Sequence, residues 1–240
     1  MIKKFLDYLN ESSDLSIKVN KNLNSKLWNN FELKNEVLKK LLEISYVWAE
    51  FAKIPEESII DILFVGGNAN FNYTDKSDID IHLLIDKSKF PECEGLLDEY
   101  LKDKKQLWSL VHDIKVYDHP IELYAQDVNE NTPFDQGVYS LLNNKWIKKP
   151  ENKNIKIDDG EIITKVDQYS KEIDDLIDSN AEDKHLINLK NKFRKLRSSG
   201  LSKGGEYSNE NLIFKELRNR GYIDKITNYV NSNQDKKLSL

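Results

Sequence analysis

Two apolar runs flank a polar, turn-rich stretch: Leu63-Phe64-Val65 ends in Gly66-Gly67, and a second run to Leu84-Ile85 carries Asp78 and Asp80 among isoleucines. Successive strand side chains point to opposite faces, so a strand here puts Asp78 and Asp80 on one face and Ile79 and Ile81 on the other. Their Cα atoms would stand roughly 6–7 Å apart. Two carboxylates so placed repel and lose hydration, and a pair of divalent ions would relieve both costs. The glycines fit the same chemistry: without a Cβ, Gly66 and Gly67 let the backbone turn sharply and expose N–H groups to an anion such as a triphosphate. A glycine turn beside a solvated strand edge is the other reading of these residues. A calcium loop does not fit, because the aspartates sit in an Ile-rich run that lacks the central Gly and closing Glu of an EF-hand.

Val65-Gly66-Gly67, the stretch Asn68 to Ser77, and then Asp78-Ile79-Asp80-Ile81 resemble the signature of the DNA polymerase beta-like nucleotidyltransferase superfamily. That superfamily has a third carboxylate between apolar neighbours on a later strand, and Ile121-Glu122-Leu123 supplies one. The resemblance spans about residues 63 to 125. It implies that Asp78, Asp80 and Glu122 hold two Mg²⁺ ions, with Mn²⁺ able to substitute. It also implies that Glu122 helps to deprotonate the acceptor, and that Gly66 and Gly67, with Asn68 and Ser77 beside them, bind the nucleotide. Where many members have Ser and then a basic residue, this chain has Gly67 and Asn68. The other reading of Glu122 is an ordinary exposed strand glutamate, but its order after Asp78 and Asp80 favours the functional role. His82 shares the aspartate face and could touch substrate, although a packed or solvent-facing histidine explains it as well.

The 240 residues allow one good core, or a core domain with an appendage. One cysteine, Cys93, leaves no internal disulfide and suits a reducing cytoplasm. No apolar run approaches bilayer length and the start is too polar for a secretory signal, so the expectation is a soluble cytoplasmic protein without a membrane partner. Frequent Asn, Lys, Ile and Asp reads as compositional bias rather than physics.

Along the chain, residues 1 to 30 read as one short helix around Phe5, Leu6 and Leu9 and then irregular chain. Apolar residues at three- and four-residue spacing predict a long helix from Phe31 to Phe51. Ile59 to Val65 reads as a buried strand, Pro91 opens a helix through Trp108, and Ile114 to Tyr124 reads as a tight hairpin turning at Asp118-His119-Pro120. A second hairpin runs from Val138 to Ile147 around Asn143-Asn144, and Pro150 closes a catalytic domain over 1–150. Residues 151–240 form a helical region. One helix is capped by Asp159, a second runs from about Glu182 to Ser199 and stops at Gly200, a third is capped by Ser208, and a short fourth passes through Ile226 and Tyr229.

Between Lys184 and Arg220, ten Lys and Arg stand against three Glu, a net of +7 in a chain of net −5, so the rest carries −12. A basic arm and an acidic body predict a polyanion held between them, with Arg194, Arg197, Lys203 and Arg218 as acceptor- or phosphate-binding residues. A solvated helix face explains the same charges. The Gly-rich segment around Gly200, Gly204 and Gly205 resembles the tail of bacteriophage-encoded members of the superfamily, which would place the protein in a host cytoplasm.

The expected fold is α+β: a small mixed sheet of the nucleotidyltransferase type flanked by helices, followed by a helical, basic C-terminal region. The expected activity moves an NMP from an NTP, with ATP among the candidates, to a hydroxyl, with RNA or tRNA favoured as acceptor. The alternatives are a non-catalytic nucleotide- or RNA-binding module, and a toxin–antitoxin-type enzyme that modifies a protein partner.

Overall fold

A computed structural model describes residues 15–17, 19–90, 95–130, 136–152 and 159–240. The expected helix around Phe5, its neighbours to residue 14, the opening Pro91 and Cys93 lie outside them. The fold is α+β and the chain divides into two compact units, Lys18–Lys153 and a second that joins Met1–Ile17 to Asn154–Leu240. The sequence reading places residues 1–17 with the catalytic domain. In the structure Leu15 and Ile17 are buried in the helical core of the second unit, where apolar side chains outweigh chain order.

The first unit is built on a six-stranded mixed sheet. Its strands are β3 (Ile59–Val65), β4 (Ile79–Ile85), β5 (Lys115–Val116), β6 (His119–Asp127), β7 (Val138–Ser140) and β8 (Lys145–Lys148), in the order β5-β6-β4-β3-β7-β8. Only the β4–β6 pairing is parallel; the other pairings in this sheet are antiparallel. A separate two-stranded ladder, β1 (Trp28–Asn29) with β2 (Glu32–Leu33), turns at Asn30, whose φ of 54° asparagine tolerates. The long helix therefore starts at Asn35, not Phe31: α1 spans Asn35–Phe51 and buries Val37, Leu41, Ile44 and Trp48.

Strand β4 decides the orientation of the site. Ile79, Ile81, Leu83 and Ile85 are fully buried on one face, each worth roughly 2 kcal/mol. The other face carries Asp80, His82 and Leu84, half-buried. A slip of one residue would drive Asp80 and His82 into the apolar core, so burial of the isoleucines holds the register. Trp28 anchors the opposite half, stacked between Phe64 (5.4 Å) and Trp146 (4.8 Å).

The β5–β6 hairpin is present, but its turn is Tyr117-Asp118, both at positive φ, and His119 begins β6. Between β4 and β6 the chain forms α2 (Leu97–Val111). In the second unit α3 (Asp159–Asp178), α4 (Asp183–Gly204), α5 (Asn209–Asn219) and α6 (Tyr222–Leu238) surround Ile162, Val166, Ile173, Leu186, Phe193, Leu212 and Leu217. Ser208 caps α5 as expected. The fourth helix is not short, and the second does not stop at Gly200.

Gly200 is a contact point inside α4, where α5 packs on bare backbone. A Cβ there would lie 2.6 Å from Ser208 Oγ and 2.8 Å from Glu210 Cβ; the helix ends instead at Gly205, with φ 70°. Gly200→Ala is therefore expected to lower stability by about 1 kcal/mol, because overpacking of about 1–3 kcal/mol outweighs the roughly 1 kcal/mol that alanine adds in helix propensity. Thermal unfolding of the full chain measures it, and a gain in stability would show that α5 does not press on Gly200.

Candidate active site

The glycine turn and the aspartate strand are fitted to each other. Gly66 has φ 77°, and a Cβ on it would lie 1.7 Å from Asp80 Oδ2 and 2.7 Å from Asp80 Cγ. Asp80 thus lies directly against the Gly66 backbone, which no side chain permits. Gly67 is different: it has ordinary φ, and its Cβ would have Ser77 Oγ at 3.5 Å as its nearest neighbour. The departure from Ser at this position is a lost side chain, not a steric requirement.

A buried polar cluster holds the approach to β4. Asn68 is fully buried, and its amide donates to the carbonyls of Ser77 (3.1 Å) and Asp78 (2.8 Å) while its oxygen accepts from Asn24 (2.9 Å). Buried His119 donates from Nδ1 to the Ser77 carbonyl (2.6 Å) and accepts at Nε2 from Asn24 (3.0 Å), so both ring nitrogens are satisfied in the neutral form. Trp28 Nε1 closes the cluster on the Asn68 carbonyl (2.8 Å). The Asn68 side chain is thus committed to the protein interior. Ser77 Oγ accepts from the Thr74 amide (2.9 Å) and lies beside Gly67.

Asp78 immediately precedes β4, Asp80 is its first outward-facing residue, and the parallel register sets Glu122 of β6 opposite Asp80. One carboxylate oxygen from each of Asp78, Asp80 and Glu122 lies within 4.8 Å of the others, and all three residues are half-buried. Three hard oxygen donors converging from two adjacent strands fit a divalent cation. Lys105 of α2 reaches the same place, its ammonium 2.5 Å from Glu122 Oε1 and 5.5 Å from the centre of the Tyr124 ring.

Further along this face, His82 Nδ1 donates to Gln126 Oε1 (2.8 Å) and its ring meets the Tyr124 edge. Burial holds the His82 pKa below the ordinary imidazole value, against the opposing pull of the Gln126 hydrogen bond. The unfolded chain takes up this proton near pH 6.5 and the folded chain at lower pH. Stability from neutral His82 is therefore complete above about 6.5 and is lost as pH falls through the depressed folded value. In EDTA, the melting temperature of the wild type is expected to drop more between pH 7 and 5.5 than that of His82→Gln; equal slopes would refute the assignment.

The four basic residues singled out in the sequence belong to the helical unit. Arg194, Lys203 and Arg218 are exposed, whereas Arg197 is half-buried with its guanidinium 5.1 Å from the centre of the Phe214 ring. Inside the unit Lys215 pairs with Glu206 and Arg220 with Glu216, acids already counted against the surplus, and Arg220 also pairs with Asp167, outside the counted stretch. A charge count over one stretch of chain cannot see a partner such as Asp167 on another helix. Lys105, His119 and Asn24 escaped the sequence reading because each is a common residue type with no motif of its own.

These residues define an α+β protein whose mixed sheet presents three convergent carboxylates suited to a divalent cation. Models of protein families find no match to the chain, and neither does a search of curated proteins. Among solved structures the chain is similar to the STING-associated CdnE c-di-GMP synthase from Capnocytophaga granulosa, at 12% identity and a TM-score of 0.24 over 95% of this chain and 94% of that one. Overlap of that size establishes neither a shared fold nor a shared function. Among the described residues, no helix is long and apolar enough to cross a membrane.

Proposed function

We propose that the chain is a metal-dependent nucleotidyltransferase, which moves a nucleoside monophosphate from a nucleoside triphosphate to a hydroxyl and releases pyrophosphate. The observation that carries this reading is the convergence of Asp78, Asp80 and Glu122 within 4.8 Å, directly beside the Gly66 turn. Those three residues would hold the metal, which when bound neutralises phosphate charge and polarises the acceptor hydroxyl. Gly66 seats Asp80, while Asn68 and His119 hold the Ser77–Asp78 backbone. Asn68 is therefore a positioning residue in this reading, and Gly67 and Ser77 line the phosphate path. Glu122, whose side chain is 44% exposed, is the residue that would accept the acceptor proton.

An acceptor on RNA or tRNA is the extension of this reading, with exposed Arg194, Lys203 and Arg218 as phosphate contacts. Incubation with each α-labelled nucleoside triphosphate, Mg²⁺ or Mn²⁺, and total RNA or lysate tests it. The expected result is an EDTA-sensitive labelled macromolecule together with pyrophosphate. Absence of label and pyrophosphate with all four nucleotides would refute the enzymatic reading. A labelled protein in place of RNA would reassign the acceptor.

A further inference from the structure

Between α2 and the second half of β6 lies a cleft of about 870 Å³, lined among others by Lys87, Lys102, Lys105, Gln106, Tyr124 and Asn129. That volume accommodates a nucleotide. The acids on its wall are engaged: Asp98 pairs with Lys87 (2.5 Å), Glu130 accepts from the Tyr124 hydroxyl, and Asp127 accepts from the Asn129 amide (2.8 Å). Lys105 joins this cleft to the carboxylates, lining the one and contacting Glu122 of the other.

We propose that Lys105 is a polyphosphate-binding residue whose ammonium stands at Glu122 in place of a cation, and that it moves to the phosphates of a nucleotide when Glu122 takes up metal. This rests on the metal reading of the three carboxylates. A lysine side chain has four rotatable carbons and three donors, so it can swing from a carboxylate to a phosphate without movement of α2. The electrostatics require the exchange. A divalent ion and an ammonium at one carboxylate repel, whereas an incoming polyphosphate attracts both. Metal and nucleotide would consequently bind with positive coupling, each lowering the cost of displacing Lys105 for the other.

The test is binding, not turnover. Mn²⁺ alone is titrated into wild type, Lys105→Met and Lys105→Arg and followed by the EPR signal of the free ion. The α,β-methylene analogues of the four nucleoside triphosphates are then titrated calorimetrically in saturating Mn²⁺. Lys105→Met is expected to bind Mn²⁺ about fivefold more tightly, because a competing half-exposed ammonium is gone. It should bind the preferred analogue about tenfold more weakly, because a charged phosphate contact is lost. Lys105→Arg keeps the charge and should stay closer to wild type than Lys105→Met in both. Equal Mn²⁺ affinities for wild type and Lys105→Met, with both binding, would overturn the exchange and leave the metal site standing. An unchanged analogue affinity in Lys105→Met would overturn the phosphate role. If no variant binds Mn²⁺, the metal reading itself falls and this inference with it.

Discussion

If the chain transfers nucleotides as proposed, Asp80→Asn is expected to reduce that transfer by about a thousandfold while leaving the fold intact. Loss of a carboxylate that would hold the metal would remove several kcal/mol of transition-state charge stabilisation, at about 1.4 kcal/mol per tenfold. Asparagine has nearly the same shape, so it keeps the seat against Gly66. In metal-free protein the substitution also relieves repulsion among three carboxylates whose oxygens lie within 4.8 Å. The melting temperature in EDTA should therefore be unchanged or slightly higher, while the stabilisation that Mn²⁺ gives the wild type disappears. Two measurements decide it, the transfer rate and the melting temperature with and without Mn²⁺. Full activity in the variant would end the metal mechanism. A large loss of stability in EDTA would show that Asp80 is there for structure.

Gly66→Ala should be the most damaging single methyl in the first unit. The backbone there, φ 77° and ψ −166°, lies in a region that only glycine occupies comfortably, and leaving it costs about 1–3 kcal/mol. The added Cβ would also fall 1.7 Å from the Asp80 carboxylate, so Asp80 must leave its place. The combined loss is expected to reach about 3 kcal/mol or more, with Mn²⁺ binding abolished in whatever remains folded. The neighbouring position supplies the control. The Cβ of Gly67→Ser would meet nothing closer than 3.5 Å, and the variant's stability should stay within about 0.5 kcal/mol of wild type. If the two glycines respond alike, the close approach of Asp80 to Gly66 does not exist in solution.

The same two glycines show where sequence reading stops. Their turn was legible, because no other residue so readily lets a strand reverse. That one seats a carboxylate and the other does not depends on which backbone Asp80 approaches, and the distance along the chain carries no record of it. The asparagines teach the same lesson from the other side. Asn24 carries no motif and Asn68 is expected beside the nucleotide, yet both are buried and hydrogen-bonded, and they tie the glycine turn to the aspartate strand.

What the sequence determined by itself is everything governed by local period and local turns. Alternation put Ile79 and Ile81 on one face and Asp80 on the other, three- and four-residue spacing marked α1, and Asn143-Asn144 marked the turn between β7 and β8. These follow from backbone geometry within a few residues, and the hydrophobic effect then turns each apolar face inward. Tertiary structure alone decided the partnerships between distant segments. The parallel register of β4 and β6 brought Glu122 beside Asp80, the packing of α2 brought Lys105 to Glu122, and the Ser77 carbonyl joined His119 to Asn68. The physical reason is that a lone Glu, Lys or His is compatible with any solvated surface. Only the closing of the core selects which of them lose water together, and so which must find partners.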